Sequence, residues 1–283
     1  MPPLEGEESR PMSAEAQHVY VYGIARAEAG GTKAGVPLLE GIAGNSVRIL
    51  DGDGLAALVS SLAIPAGGPT FDEQLKDPEQ TKSLILDHHR VLQCLLDHRT
   101  VLPLRFGTLF SDDEKVRAAL REHRRAFLEA IERVEGAREW GVKIFCDCQV
   151  LRRHLGKKSP AMREAQSELA GATQGRAFFL QRRVAALGEA EIERAVAQHV
   201  TDSRRRLGEI ARAEASLKFQ PAAVHGRPDD MVWNGAFLVA TLAEQRFFAQ
   251  IEELQQALEP CGFHYENNGP WPPFSFADYR QEE

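Results

Sequence analysis

Cysteine is scarce in this 283-residue chain, with only Cys94, Cys146, Cys148 and Cys261 present, at spacings too irregular for a disulfide framework. Long apolar runs are missing too. The longest stretches, such as residues 237–243, fall far short of the roughly 20 residues a membrane span requires. No glycine fingerprint for dinucleotides, no Walker phosphate loop, no GxSxG elbow and no HExxH zinc helix occurs. Those absences remove the strong enzymatic signatures, so neither a catalytic residue, a cofactor nor a metal is expected. Basic residues are outnumbered 34 to 41, and the resulting formal charge of −7 repels phosphate backbones and anionic lipid. Nucleic acid and membrane are therefore excluded as expected partners. Nothing at the N-terminus reads as a secretory signal, which together with the few cysteines implies a reducing cytoplasm. What the chain has instead is length and 43% hydrophobic residues, enough to bury a core without staples.

Residues 1–17 are rich in proline and glutamate and poor in large apolar side chains, the composition of a disordered tail. From His18 the run HVYVYGIA alternates with period two and is rich in β-branched and aromatic residues, so it reads as a strand. A short strand follows at residues 46–50, then the turn signal Asp51-Gly52-Asp53-Gly54, and residues 55–62 read as a short helix. Pro78 opens a helix to about Arg99 carrying Leu84, Ile85, Val91, Leu92, Leu95 and Leu96 at helical spacing. Residues 100–110 read as a strand that Pro103 pushes to a sheet edge or bulge. Ser111 is the expected cap of one helix running to Gly136, with Val116, Leu120, Phe127, Leu128, Ile131 and Val134 as its apolar stripe.

A domain boundary is expected near Ala137, giving an N-terminal α+β domain over residues 18–137 and a second over 138–283. The second starts with a strand at residues 141–147 and continues with helices at 161–187 and 189–216, broken by Gly171, Gly175 and Gly188. A hairpin of strands at 217–224 and 231–241 follows, then a helix at 245–258 and an extended segment at 264–276. The order β-α-α-β-β-α-β is a modified ferredoxin-like (βαββαβ) fold with an enlarged helical first crossover. The fold class is α+β.

Few residues invite chemistry. His88 and His89 are adjacent on a helix, about 100° apart, and cannot converge on one ion unaided. Cys146 and Cys148 share a strand face and read as small buried hydrophobes. Residues 51–54 lack the further ligands of a calcium loop, and Gly156-Lys157-Lys158-Ser159 lacks the first glycine of a phosphate loop. In residues 233–240 Asn234 stands where an RNA-stacking strand needs a basic residue, and Arg204-Arg205-Arg206 is diluted by Glu193, Asp202, Glu209 and Glu214. The most particular segment is Gly269-Pro270-Trp271-Pro272-Pro273-Phe274-Ser275-Phe276, whose prolines enforce an extended backbone bearing large apolar side chains. Trp271, Pro272, Pro273, Phe274 and Phe276 are the candidate partner-binding residues.

Several segments resemble the GvpF/GvpL family of gas vesicle synthesis proteins. They are Val19-Tyr20-Val21-Tyr22-Gly23-Ile24, His88-His89-Arg90-Val91-Leu92, residues 100–110, Glu139-Trp140-Gly141-Val142-Lys143, residues 175–183 (GRAFFLQRR), Asn234-Gly235-Ala236-Phe237-Leu238-Val239, and the closing segment 269–276. Phe179 and Phe274 stand where the family more often has tyrosine. The resemblance implies two α+β domains, the second ferredoxin-like, and no catalysis. It further implies association with the small hydrophobic wall protein (GvpA-like) and other gas vesicle accessory proteins, on gas vesicles in the cytoplasm, and leaves homo-oligomerisation open. A wall protein must be shielded before assembly, and strand addition at residues 102–110 or at the strap 271–276 is the expected means. The alternative is a small-ligand-binding regulatory module or enzyme on a ferredoxin-like domain, with His88 and His89 as its working residues.

Overall fold

The computed structural model describes residues 16–27, 39–64, 71–96 and 98–278. The expected tail lies outside them except for its last two residues, which already belong to the first strand. The described chain divides into two compact units, one running to Glu135 and taking back Ala277 and Asp278, the other Gly136–Phe276. Ala277 belongs to the first unit because it is buried in that unit's core, and Arg133 Nη2 donates to Asp278 O at 2.5 Å.

The first unit is built on an antiparallel sheet with β1 (Ala16–Arg26) at its centre. β3 (Leu55–Ile64) pairs with one side of β1 and carries β2 (Val47–Gly52) on its far edge. β2 and β3 are joined by Asp53 and Gly54, both at positive φ (54° and 77°), the twist that two-residue hairpins require. The turn was legible, but the helix expected at 55–62 is a strand. Leu55, Ala56, Ala57, Leu58, Val59 and Ser60 are all buried, and a strand covered on both faces loses the alternation by which strands are read.

Both faces are covered because helices pack on each. α1 (Phe71–Gln74) and α2 (Pro78–Leu95) bring Phe71, Leu84, His88, Val91, Leu92 and Leu95 into the interior. Asp77 caps α2 by accepting from the backbone N–H of Glu79 and Gln80. The expected strand 100–110 is two fragments, β4 (Leu102–Pro103) and β5 (Leu109–Phe110), each paired to β1 and separated by a loop. Pro103 does sit at the edge, opposite Gly23. Gly23 is there because a Cβ would lie 2.6 Å from Val101 Cγ1 and 2.8 Å from Leu102 O.

The other face receives α3 (Asp113–Glu122) and α4 (Arg124–Val134), which break at His123 instead of forming one helix. Asp112, not Ser111, is the cap; its carboxylate accepts from Lys115 N at 2.8 Å while Ser111 Oγ donates to it. Val116, Leu120, Phe127, Ala130 and Ile131 then pack on Val19, Val21, Ile24, Ala57 and Val59.

The second unit follows the order β6 (Ala137–Cys146), α5 (Cys148–Lys158), α6 (Pro160–Ala170), α7 (Gln174–Gly208), β7 (Ala213–Ser216), α8 (Ala222–His225), β8 (Asp230–Ala240), α9 (Glu244–Leu258), β9 (Phe263–Trp271). Its sheet is antiparallel with spatial order β7-β8-β6-β9. Gly171 separates α6 from α7, but Gly175 and Gly188 lie within α7 and do not break it. Gly188 is buried with Met162 Cε 3.7 Å from its would-be Cβ, so its small size serves helix packing. The hairpin's first strand is residues 213–216, not 217–224, which form loop and α8. Cys146 ends β6 while Cys148 begins α5 with Asp147 as its cap, so the two thiols do not share a strand face.

A candidate partner surface on the second sheet

Side chains alternate across a strand, and in the second sheet the two faces meet different coverings. Val142, Ile144 and Cys146 of β6 and Trp233, Phe237 and Val239 of β8 pack under α5, α7 and α9 through Leu151, Ile192, Leu207, Phe247, Ile251 and Leu254. The opposite face carries Glu139, Gly141, Lys143 and Phe145, in register with Leu238, Ala236, Asn234 and Met231. No long helix covers it among the described residues. Two irregular segments do.

At one end the loop 217–229 folds over this face. Asn234 Nδ2 donates to Lys218 O at 2.7 Å, and Gln220 N approaches Met231 Sδ at 3.5 Å. The Arg227 guanidinium lies 4.8 Å above the Phe145 ring and pairs with Asp229 and Glu266. The anchoring groups are polar and the apolar ones point outward: Leu217, Phe219 and Val224 are 41%, 60% and 66% exposed. Sequence reasoning missed these three because it placed them in a strand. Their signal was the adjacent cluster Gly226-Arg227-Pro228-Asp229-Asp230, which is long enough to hold a loop that starts earlier.

At the other end the closing strap is pinned by a buried carboxylate. Glu139 accepts from Ser275 N and Ser275 Oγ, each at 2.8 Å. Burial raises its pKa and the two Ser275 bonds oppose that rise. Beyond Trp271 the backbone leaves the strand and closes in a short 3-10 turn, Phe274–Phe276, near β7. Of the five candidate residues, Pro272 and Pro273 are buried and Phe274 and Phe276 half-buried. Trp271 alone is an exposed large apolar side chain, at 41%, with its indole N–H donating to Asn268 Oδ1 at 2.7 Å. Trp271 and the 217–224 side chains therefore flank one sheet face.

The other residues singled out by the sequence are mostly buried or paired. His88 is fully buried, its Nδ1 2.8 Å from Tyr20 OH, and its ring stacks on Tyr22 and meets Phe106 edge-on. Burial, with His89 adding, lowers its pKa to about 4, so it is neutral at pH 7. Tyr20 OH also accepts from Gly107 N, while Tyr22 OH bonds Ser60 and accepts from Ile42 N at 2.7 Å. His89 is half-buried, and burial lowers its pKa as well. Burial likewise raises the Cys146 thiol to about 12, far from reactive. Arg204 pairs with Glu214, Arg205 with Asp202 and Glu209, and Arg206 with Glu253. Among the described residues no three His, Cys, Asp or Glu side chains are grouped to hold a metal, and no helix is long and apolar enough to cross a membrane. A groove of about 410 Å³ lies between the first sheet and α3, lined by Val21, Leu104, Phe110, Val116 and Phe127 with Lys115 and His123.

Two antiparallel sheets with this succession of helices define a class of α+β protein with solved examples. The crystal structure of the gas vesicle protein GvpF from Anabaena sp. superposes with a TM-score of 0.71 at 20% identity, covering 94% of this chain and 100% of that one. GvpF from Microcystis aeruginosa gives 0.63 at 21%, covering 92% and 99%. The family description Gas vesicle synthesis protein GvpL/GvpF matches residues 18–278, and the chain belongs to that family of gas vesicle accessory proteins. Gas vesicle protein L of a Streptomyces sp. is 32% identical over 274 residues, spanning 93% of this chain and 94% of that protein. Gas vesicle protein F of the same strain is 30% identical, spanning 92% and 99%.

Proposed function

We propose that this protein binds the small hydrophobic gas vesicle wall protein, and other vesicle accessory proteins, in the cytoplasm during vesicle formation, and remains associated with the vesicle. It performs no catalysis in this reading. The observation that carries the proposal is the flanked sheet face: four large apolar side chains, Leu217, Phe219, Val224 and Trp271, stand exposed on segments tied down by polar anchors. An unassembled wall subunit must hide apolar surface from water, and burying such side chains against it contributes roughly 25 cal/mol per Å². The acidic balance of the chain keeps the resulting complex soluble.

The contact is made by side chains on this face and not by strand addition. β4 and β5 are two residues each and interrupted by a loop, which makes a poor template for a partner strand. At the β9 edge Tyr265 N already donates to Gln255 Oε1 at 2.7 Å, and Pro270 has no N–H to offer. Within the strap, Trp271 makes the contact while Pro272, Pro273, Phe274 and Phe276 shape and seat it. A non-catalytic role is supported by the burial of His88, which is enclosed by Tyr20, Tyr22 and Phe106.

The test is co-expression with the wall protein, measuring how much wall protein remains soluble and co-purifies. Wild type is expected to retain it and a Phe219→Ser, Trp271→Ala variant to lose it while keeping its melting transition. Absence of a complex with wild type, or an undiminished complex with the folded variant, overturns this reading.

A further inference from the structure

A second apolar surface lies on α7, far along the chain from the sheet face. Phe178 and Phe179 are 60% and 73% exposed on the N-terminal part of that helix, their rings 6.0 Å apart. The packed side of the same turns is set by Ala177, Leu180, Val184, Leu187 and Gly188, all buried or half-buried. At 100° per residue, Gly175, Phe178, Phe179, Arg182 and Ala186 fall on the opposite side, centred on solvent. Small residues, Gly175 and Ala186, stand at the two ends of this face, and the space beyond Gly175 is open.

The segment that contains this face carries a charge opposite to that of the whole chain. Residues 148–187 contain eight lysines and arginines and two glutamates, a formal +6 where the whole chain is −7. Arg163, Arg176, Arg182 and Arg183 are all exposed, and Arg182 lies 5.8 Å over the Phe178 ring. Glu168 approaches Arg183 at 3.5 Å and Glu189 meets Arg152 at 2.5 Å, which leaves the stretch strongly positive. The C-terminal arginines of α7, by contrast, are each matched by acids.

We infer that this face of α7 is a docking site for an acidic amphipathic helix of a partner protein. A pair of exposed rings between small residues, with Arg182 on the same face, offers a compact apolar contact that a second helix can cover. Arginines beside it select glutamates or aspartates on the flanks of that helix. Screening confines the attraction to about 8 Å at physiological salt, so a short helix senses only the local positive field. A long polyanion, a nucleic acid or an anionic bilayer, also meets the acidic remainder of the chain. The site is independent of the sheet face proposed above.

The test uses the full chain and a synthetic amphipathic helix of about 20 residues with leucine on one face and glutamate elsewhere, followed by fluorescence anisotropy. The same peptide with lysine for glutamate, vesicles of phosphatidylcholine with phosphatidylglycerol, and single-stranded DNA are run beside it. Wild type should bind the glutamate peptide and not the lysine peptide. Phe178→Ser with Phe179→Ser, and separately Arg182→Glu with Arg183→Glu, should each weaken it at least about tenfold. Because these side chains are exposed, circular dichroism should stay unchanged. Failure of wild type to bind, equal binding of the lysine peptide, undiminished binding by either variant, or tighter binding of vesicles or DNA overturns the inference. Retention of wall protein should be unaffected by the α7 variants, which separates this site from the sheet face.

Discussion

The two sheets are both antiparallel and each has one face under a helical layer, yet they finish the other face differently. In the first, α2 closes over Tyr20, Tyr22 and Ser60, and His88 descends into the gap. In the second, the loop 217–229 and the strap 271–276 do the covering, and they leave Leu217, Phe219, Val224 and Trp271 in water. Aromatic and imidazole groups under a helix become structure, because every polar atom must then find a partner inside. Apolar groups carried on a loop anchored by its polar atoms stay available to another molecule. A family motif of histidines and tyrosines therefore marks a core in one unit, while a loop read as a strand marks a surface in the other.

The sharpest way to break the comparison is Gly23→Val. A Cβ there meets Val101 Cγ1 at 2.6 Å and Leu102 O at 2.8 Å, so a loss of about 3 kcal/mol or more is expected in urea unfolding. Close behind comes pH. His88 titrates near 4 when folded against an ordinary 6.5, so the unfolded chain binds the proton more readily. Its contribution is fully present above about pH 6.5 and is lost as pH falls toward 4, by up to about 3 kcal/mol. Unfolding curves at pH 7, 5.5 and 4.5 should show that slope, and His88→Phe should flatten it.

Tyr22→Phe removes the hydroxyl that serves both Ser60 and Ile42 N, leaving a buried N–H without its acceptor; a cost of about 1–3 kcal/mol is expected from thermal unfolding. Ser275→Ala withdraws one of two donors from the buried Glu139 carboxylate. About 1 kcal/mol of strap anchoring should go, read as faster proteolytic cleavage near Trp271. The smallest expected effect on stability is at Phe219→Ser, within about 0.5 kcal/mol, although wall-protein retention should fall. If Phe219→Ser unfolds the protein as readily as Tyr22→Phe, the contrast between covered and available faces is wrong.

Elements with one exposed face were legible. α2 announced itself through Pro78 and the spacing of Leu84, Val91, Leu92 and Leu95, and α9 through Phe247, Ile251 and Leu254. β1 and β8 were legible as well, from β-branched and aromatic runs. Residues 55–62 were not: both faces of β3 are covered, so alternation vanishes, and unlike the equally covered β1 and β8 its Leu-, Ala- and Ser-rich sequence has no β-branched or aromatic run to mark a strand. The cap of α3 was misplaced by one residue because Ser111 and Asp112 are both competent caps, and the backbone geometry decides which carboxylate or hydroxyl reaches Lys115 N. Of the candidate site, the strap was visible in its prolines and aromatics. Leu217, Phe219 and Val224 were not, since their own apolar side chains read as a strand and only the neighbouring Gly226–Asp230 cluster hinted at a loop and a single helical turn.

Composition and periodicity by themselves determined the α+β class and the succession of most helices and strands, because these depend on neighbours a few residues apart; the resemblance to the family rested instead on particular segments spread from residue 19 to residue 276. Only the tertiary structure decided that His88 is sealed away, that Glu139 holds Ser275 across 136 positions of chain, and which aromatic side chains meet water. Burial is set by what folds over a residue from elsewhere in the chain, and no local pattern encodes that.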